Sequence, residues 1–329
     1  MRVGIIGAGF GRRVVAPVFD ATEGCEVVDV VSARDGDAVD ALIARPDVDL
    51  VSVHSPPFLH APHVRAALAT GKAVLCDKPF ALDADEAAAL EADADAAGVV
   101  ALCNFEFRYA PARARLREMV HDGSVGVVEH VQLLHHSAGS RVPLRKWGWL
   151  FDRVLGGGWI GAWASHAVDN LRYVFGTEVV TVQALLRTDI RERPDDAGEM
   201  HLCTAEDGLT AGLGLANGVT VAIDSSFAAV ADVAPRLTVF GSRAVVELIA
   251  DERVRVRPGA TEPGDIETID LGATGADRHL EPMRRFAEVV RDAVTSGTVP
   301  DHAPTFADGR ACDAVLDELR AAPFASFGG

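Results

Sequence analysis

The sequence predicts a two-domain α/β protein, a doubly wound parallel sheet over residues 1–121 followed by a mostly antiparallel sheet with helices over residues 122–329. Three observations carry this. Apolar runs alternate with helical patterns in a βαβ rhythm over the first third of the chain. The rhythm stops near His121 and gives way to short β-branched runs parted by turns. At 329 residues, 49% of them hydrophobic, the chain is long enough for two cores.

In chain order, Arg2 to Gly7 reads as the first strand, then a glycine turn, then a helix to Ala21. Glu26–Val31, Asp49–His54, Ala73–Cys76 and Val99–Phe105 read as the next strands. They are apolar without clean alternation, as strands covered by helices on both faces should be. Between and after them, Ala38–Ala44, Ala61–Thr70, Ala84–Ala97 (stopped by Gly98) and Pro111–His121 carry helical patterns. Beyond His121, strands are expected at Val127–Leu134, Val179–Arg187, Met200–Glu206, Gly218–Ser226, Arg236–Gly241, Ala244–Leu248 and Val254–Arg257. Asp207-Gly208 and Asn217-Gly218 read as turns. A helix over Trp159–Phe175 interrupts the strands, and two more close the chain at Glu281–Thr295 and Phe306–Arg320.

The net charge of −17, from 31 basic and 48 acidic residues, argues against nucleic-acid and anionic-membrane partners. Five cysteines, an odd number with no CxxC pair, read as reduced thiols in a cytoplasmic protein. The start MRVGIIGAGFG reads as a strand and turn, so no secretory leader is expected, and no apolar run reaches the roughly 18 residues that a membrane span needs.

Residues 4–12 read GIIGAGFGR. Gly7 permits a tight turn directly after a strand. Gly9 lets a pyrophosphate reach the backbone, and the following helix offers unbonded N–H groups to its charge. With Phe10, Gly11 and Arg12 these are candidate dinucleotide contacts; Arg12 stands where a third small residue is usual. The alternative is a glycine turn in a cofactor-free domain. About 20 residues on, an acidic side chain would bind the ribose hydroxyls of NAD. The expected position is Ser32, with Arg34 nearby, an exchange that favours a 2′-phosphate and hence NADP, with NAD still possible. Asp35 and Asp37 are close enough that a shift of one or two residues reverses this inference.

The fourth strand ends Cys76-Asp77-Lys78-Pro79. Ligands collect at the carboxyl ends of parallel strands, so Lys78 is placed to meet a nicotinamide or a substrate hydroxyl. Pro79 holds it extended, across a bond that can be cis. For the residue alone, a surface-turn lysine is the plainer reading.

The run DLVSVHSPPFLHAPHVRAALATGKAVLCDKPFALDADEAAAL resembles the Gfo/Idh/MocA oxidoreductases. The family's Glu-Lys-Pro signature stands here as Asp77-Lys78-Pro79, its threonine-proline loop as Ser55-Pro56-Pro57 followed by His60, and its domain-closing segment as Asn104 to Arg108. The resemblance implies a Rossmann domain joined to an α/β domain with a large open sheet. It also implies an NAD(P)-dependent dehydrogenase or reductase of sugars, cyclitols or related compounds, and a homodimer or homotetramer. By it Ser55, Pro56, His60, Asp77 and Asn104 line the cofactor and Lys78 is catalytic. The family's second signature is an aspartate four residues before a histidine. Here His166 matches, Ala162 stands in place of the aspartate, and Asp169 follows by three residues. Asp169 shares a helical face with His166 and either orients it or braces the helix. His166 suits proton exchange; a buried histidine bonded to a carbonyl is the alternative.

All four tryptophans, Trp147, Trp149, Trp159 and Trp163, crowd one stretch with Arg141, Arg145, Lys146 and Arg153. This is a sugar platform, a lid or an interface, beside a basic cluster suited to an anionic substrate or simply solvated. His135 and His136, adjacent on a strand, face opposite ways, and no metal site is expected. Two rival functions remain: sugar elimination or hydrolysis through transient redox on a retained cofactor, and a ligand-sensing protein without turnover.

Overall fold

The computed structural model describes residues 1–261, 264–272 and 277–325. The backbone divides into two compact units, Met1–Tyr109 with Gly275–Ala314, and Ala110–Thr274 with Val315–Gly329.

The first unit holds five parallel strands, β1 (Arg2–Ile6), β2 (Glu26–Val31), β3 (Leu50–Val53), β4 (Ala73–Cys76) and β5 (Ala101–Cys103), in the order β2-β1-β3-β4-β5. Helices α1 (Ala16–Ala21), α2 (Gly36–Ala44), α3 (His60–Ala69) and α4 (Ala84–Ala97) connect them. Local chemistry sets the helix ends. Asp35 and Asp83 cap α2 and α4 by accepting from Ala38 N and Glu86 N, and Gly98 ends α4 in the left-handed region at φ 63°. Strands β1, β3 and β4 are buried along nearly their whole length because helices cover both faces, whereas the edge strand β2 is buried only at Val31.

The second unit is built on an eight-stranded sheet. Its strands are β6 (Val128–His136), β7 (Val179–Arg187), β10 (Gly208–Leu215), β11 (Thr220–Ser226), β12 (Val233–Gly241), β13 (Ala244–Ile249), β14 (Arg253–Pro258) and β15 (Glu267–Asp270). All neighbours are antiparallel except β6 and β11. A separate hairpin pairs β8 (Glu192–Pro194) with β9 (Met200–Leu202). Helices α5 (Pro111–His121) and α6 (Ser165–Phe175) belong to this unit. The last two helices are α7 (Leu280–Ser296) and α8 (Phe306–Arg320).

Two expectations are corrected. The expected division at residue 121 differs from the observed one, because α5 packs its buried face, Ala112, Leu116 and Met119, on α6, β13 and β14. In exchange α7 returns to the first unit, where Met283, Phe286, Ala287 and Val290 join Val3, Ile5, Val14 and Phe19 in one core. Packing, not chain order, decides membership. Second, Asp207-Gly208 is no turn. Gly208 opens β10, a glycine-rich strand of low intrinsic propensity held by β7 and β11 on its two sides. Its alternate residues Leu209, Ala211, Leu213 and Leu215 are buried. β15 was likewise not expected. Asn217-Gly218 is a turn, with Gly218 at φ 90°.

Candidate active site

In the first unit the chain leaves β1 to one side for β2 and returns to the other side for β3. A crevice therefore opens at the carboxyl ends of β1 and β3, the position where such sheets hold ligands. Gly7 follows β1 at φ 140°, and a Cβ there would overlap the His54 carbonyl. Gly11 starts the helical run of residues 11–21, and a Cβ on it would press on Ile5 at 2.9 Å. Gly9 is the opposite case. It is exposed, with nothing within 4 Å of where a Cβ would stand. Two glycines thus allow strand, loop and helix to close together, and the third presents bare backbone outward. That arrangement fits a dinucleotide pyrophosphate.

Gly11, and not residue 12, makes the close approach of helix to strand. Arg12 is exposed and donates to Val30 O at 2.7 Å. Beyond β2, Ser32 Oγ accepts from Arg34 N at 3.3 Å, and the Arg34 side chain is exposed. Asp35, the nearest acid, spends its carboxylate on the α2 cap.

The rim continues across β3, β4 and β5. His54 Nδ1–H donates to Asp77 Oδ2 at 3.2 Å, and its Nε2 accepts from Ser52 Oγ at 2.7 Å. Asp77 Oδ1 accepts from Lys78 N at 2.9 Å and Asn104 Nδ2 at 3.4 Å. Burial opposes the Asp77 charge, but the His54 hydrogen bond and the Lys78 ammonium hold its carboxyl well below the usual range. Lys78, joined to Pro79 by a cis peptide, has its pKa lowered by burial, against which Asp77 and Glu106 act. Asn104 is fully buried, and its Oδ1 accepts from no described residue. An acceptor kept waiting there fits an amide or hydroxyl donor of a bound dinucleotide.

Ser55 and Pro56 lie on the loop after β3. Ser55 Oγ donates to His63 Nδ1 at 3.2 Å. His60, on α3, is a brace between loops in this structure. It is 1% exposed, with Nε2 at 2.8 Å from Ser55 O and Nδ1 at 3.2 Å from Phe80 O, tying the loops after β3 and β4. Burial lowers its pKa, so its single proton serves one of the two carbonyls at a time.

In the second unit, a π-helical turn, Ile160–Ala164, leads into α6, which carries His166 and Asp169, 6% and 3% exposed, three residues apart on one face. Two glycines of the triplet before it are needed sterically. A Cβ on Gly157 would overlap the Trp149 and Leu150 carbonyls, and one on Gly158 would overlap Glu206. Glu206 is 2% exposed and accepts from Ile160 N at 2.8 Å, capping the helix that carries His166. Burial raises its pKa.

The tryptophans do not form one cluster. Trp159 and Trp163 stack at 5.9 Å, and the column runs on through Phe227 to Phe151, over which the buried Arg193 guanidinium sits at 3.9 Å. His135 stands edge-on to both tryptophans. Trp147 instead stacks on His201 of the hairpin at 4.5 Å. His136 faces away from His135 and approaches Asp224 at 3.4 Å. The basic stretch is dispersed: Arg141 donates to Ala228 O, Arg153 donates to Arg320 O, and Lys146 pairs with Asp196. Asp195, Glu199 and His201 gather at the β8–β9 hairpin, where Asp195 accepts from Ala197 N, Glu199 N and His201 Nε2.

Sequence reasoning missed His54, Glu106, His279 and Glu206. His54 carried a signal, its place at the end of a parallel strand. His279 lies 173 residues from its partner Glu106 and carried none.

Comparison with known proteins follows the same division. Residues 1–105 match the oxidoreductase family, NAD-binding Rossmann fold, and residues 114–247 match the GFO/IDH/MocA C-terminal domain. An uncharacterized oxidoreductase of Synechocystis sp. is 29% identical over 336 residues, 96% of this chain and 84% of that one. The 1,5-anhydro-D-fructose reductase of Ensifer adhaerens is 31% identical over 243 residues, 69% of each chain. The solved structure of a levoglucosan dehydrogenase in complex with NADH superposes with a TM-score of 0.86 at 22% identity, covering 97% of this chain and 96% of that one, and so shares the fold.

Proposed function

Because the chain belongs to the GFO/IDH/MocA oxidoreductase family, we propose that it moves a hydride between a nicotinamide dinucleotide and a secondary alcohol or carbonyl carbon of a sugar, cyclitol or related small molecule. The observation that carries this is the rim of the parallel sheet. The outward backbone of Gly9 and the cluster of Lys78, Asp77 and Asn104 line the carboxyl ends of adjacent strands. When bound, the nicotinamide supplies hydride donation or acceptance.

The chain's own residues then have these roles. Gly7, Gly9, Phe10 and Gly11 shape the pyrophosphate seat, with Ser55 and Pro56 beside it. Asp77 and Asn104 hold the ribose and amide. The Lys78 ammonium stabilises charge on the substrate oxygen, His166 exchanges the proton, and Asp169 orients His166. The first unit binds the cofactor and the second supplies the substrate residues. NADP is the preferred form, on the support of Ser32, of exposed Arg34 and Arg12, and of Asp35 being committed to a helix cap.

We further propose a homodimer or homotetramer joined through the sheet face that carries Leu134 and Leu185, 37% and 47% exposed on one rung of the β6–β11–β10–β7 ladder. No described helix is long and apolar enough to cross a membrane. Five free cysteines support a cytoplasmic setting.

The test is absorbance of reduced nicotinamide against a panel of sugars and cyclitols, in wild type, Lys78→Met and His166→Asn. Each variant should lose about 10²–10⁴-fold in turnover while keeping nucleotide affinity. Unchanged turnover in Lys78→Met refutes the lysine's role. Nucleotide uptake without turnover on any compound favours the sensing protein, and tightly held cofactor with non-redox products favours the transient-redox enzyme.

A further inference from the structure

A second carboxylate that no signature singles out, Glu106, lies on the segment leaving β5 and acts on the Lys78 charge. We propose that Glu106, buttressed by His279, is a positioning residue for Lys78, holding the ammonium charged and in place at the rim. This rests on the role given to Lys78 above.

The register brings these groups together. Cys76 and Cys103 are partners at the ends of β4 and β5, and Asn104 N donates to Cys76 O at 2.7 Å. The chain leaving β5 therefore runs beside Asp77 and Lys78. Glu106 is 1% exposed; its Oε1 accepts from His279 Nδ1–H at 2.6 Å, and its Oε2 meets no donor among the described residues. A buried carboxylate with one oxygen in want of a donor requires nearby positive charge. Asp77 is already committed to His54, Lys78 N and Asn104. The charged and titratable groups acting on Lys78 are Asp77, Glu106, Arg278 and the Cys103 thiol. Of these, the two carboxylates and the thiol favour the ammonium, while Arg278 and burial oppose it.

The arrangement also reaches the glycine loop. The Phe10 ring touches both His54, at 5.7 Å, and His279, at 5.1 Å. Each histidine donates to one of the two carboxylates that act on Lys78. Arg13 pairs with Asp277 at 3.4 Å, anchoring the same C-terminal return to the same loop. The plain alternative is that Glu106 and His279 only staple that return to the sheet.

The chain has three lysines, Lys72, Lys78 and Lys146, which makes a direct measurement practicable. Reductive ¹³C-methylation of the whole protein gives one NMR line per lysine, and Lys78→Met assigns the line of interest. Removing a carboxylate removes support for the ammonium, so the Lys78 titration midpoint should fall by about one pH unit in Glu106→Gln. It should fall by less in Glu106→Asp, which keeps the charge on a shorter arm. Lys72 and Lys146 should hold still. If Glu106→Gln does not fold, Glu106→Asp decides. A Lys78 midpoint unmoved in folded variants overturns the proposal and leaves the staple. The fluorescence of NADPH and of NADH with the wild type is read in parallel. Uptake of neither refutes the functional reading, whereas uptake with an unmoved midpoint refutes the positioning role alone.

Discussion

Gly7 and Gly9 stand two residues apart in one loop, and the geometry assigns them opposite costs. At Gly7 an alanine must adopt φ 140° and force its methyl into the His54 carbonyl, which belongs to the neighbouring strand end. The backbone strain costs about 1–3 kcal/mol and the overpacking a similar amount, since backbone cannot move aside as a side chain can. A loss of about 3 kcal/mol lowers Tm by roughly 6–12 °C in a unit of this size. At Gly9 the methyl meets nothing within 4 Å, and Gly9 has no positive φ to resist a side chain. Gly9→Ala should therefore fold with Tm within a degree or two of wild type. Its methyl would occupy the approach of the pyrophosphate, so NADPH and NADH should each bind at least about 10-fold more weakly, or 1.4 kcal/mol. The assays are differential scanning fluorimetry and nucleotide fluorescence titration on both variants. A stable Gly9→Ala protein that binds nucleotide as tightly as wild type would refute the placement of the phosphates. Gly7→Ala with an unchanged Tm would refute the steric reading of the crevice.

Cofactor choice and helix capping give two further expectations. Ser32→Asp combined with Arg34→Ala supplies a carboxylate to the ribose hydroxyls and removes a guanidinium, so the NADPH-to-NADH affinity ratio should fall by about 10–100-fold; an unchanged ratio places the discriminating residues elsewhere. At Glu206 burial raises the folded pKa above the ordinary 4.5, so the carboxylate costs stability increasingly as pH rises from 4.5 through the folded value. Glu206→Gln keeps an oxygen for Ile160 N and removes the charge. It should gain on the order of 1 kcal/mol over wild type above that window and nothing below it, as read by urea unfolding at several pH values. A loss at every pH would mean that the carboxylate is paired.

The first unit was legible residue by residue. Strands β1 to β5 were each read within a few positions, because a covered parallel strand is an apolar run and its punctuation is local: Gly7 for the turn, Asp83 for a cap, Gly98 for a stop. The glycine loop and Asp77-Lys78-Pro79 were legible for the same reason. The second unit was read more coarsely. β10 was missed because GLTAGLGL has little strand propensity of its own, and only β7 and β11 make it a strand.

By itself, then, the sequence determined the parallel sheet, the glycine loop, the lysine at the fourth strand end and the helix bearing His166, all written within a few residues of where they stand. Tertiary structure alone decided that α7 completes the first core, that Glu206 caps the His166 helix from 46 residues away, and that His279 meets Glu106 across 173. Turns, caps and periodicity are short-range forces and leave a local trace. Burial of a charge against a distant donor is a property of the folded surface, and neither partner's neighbours in the chain record it.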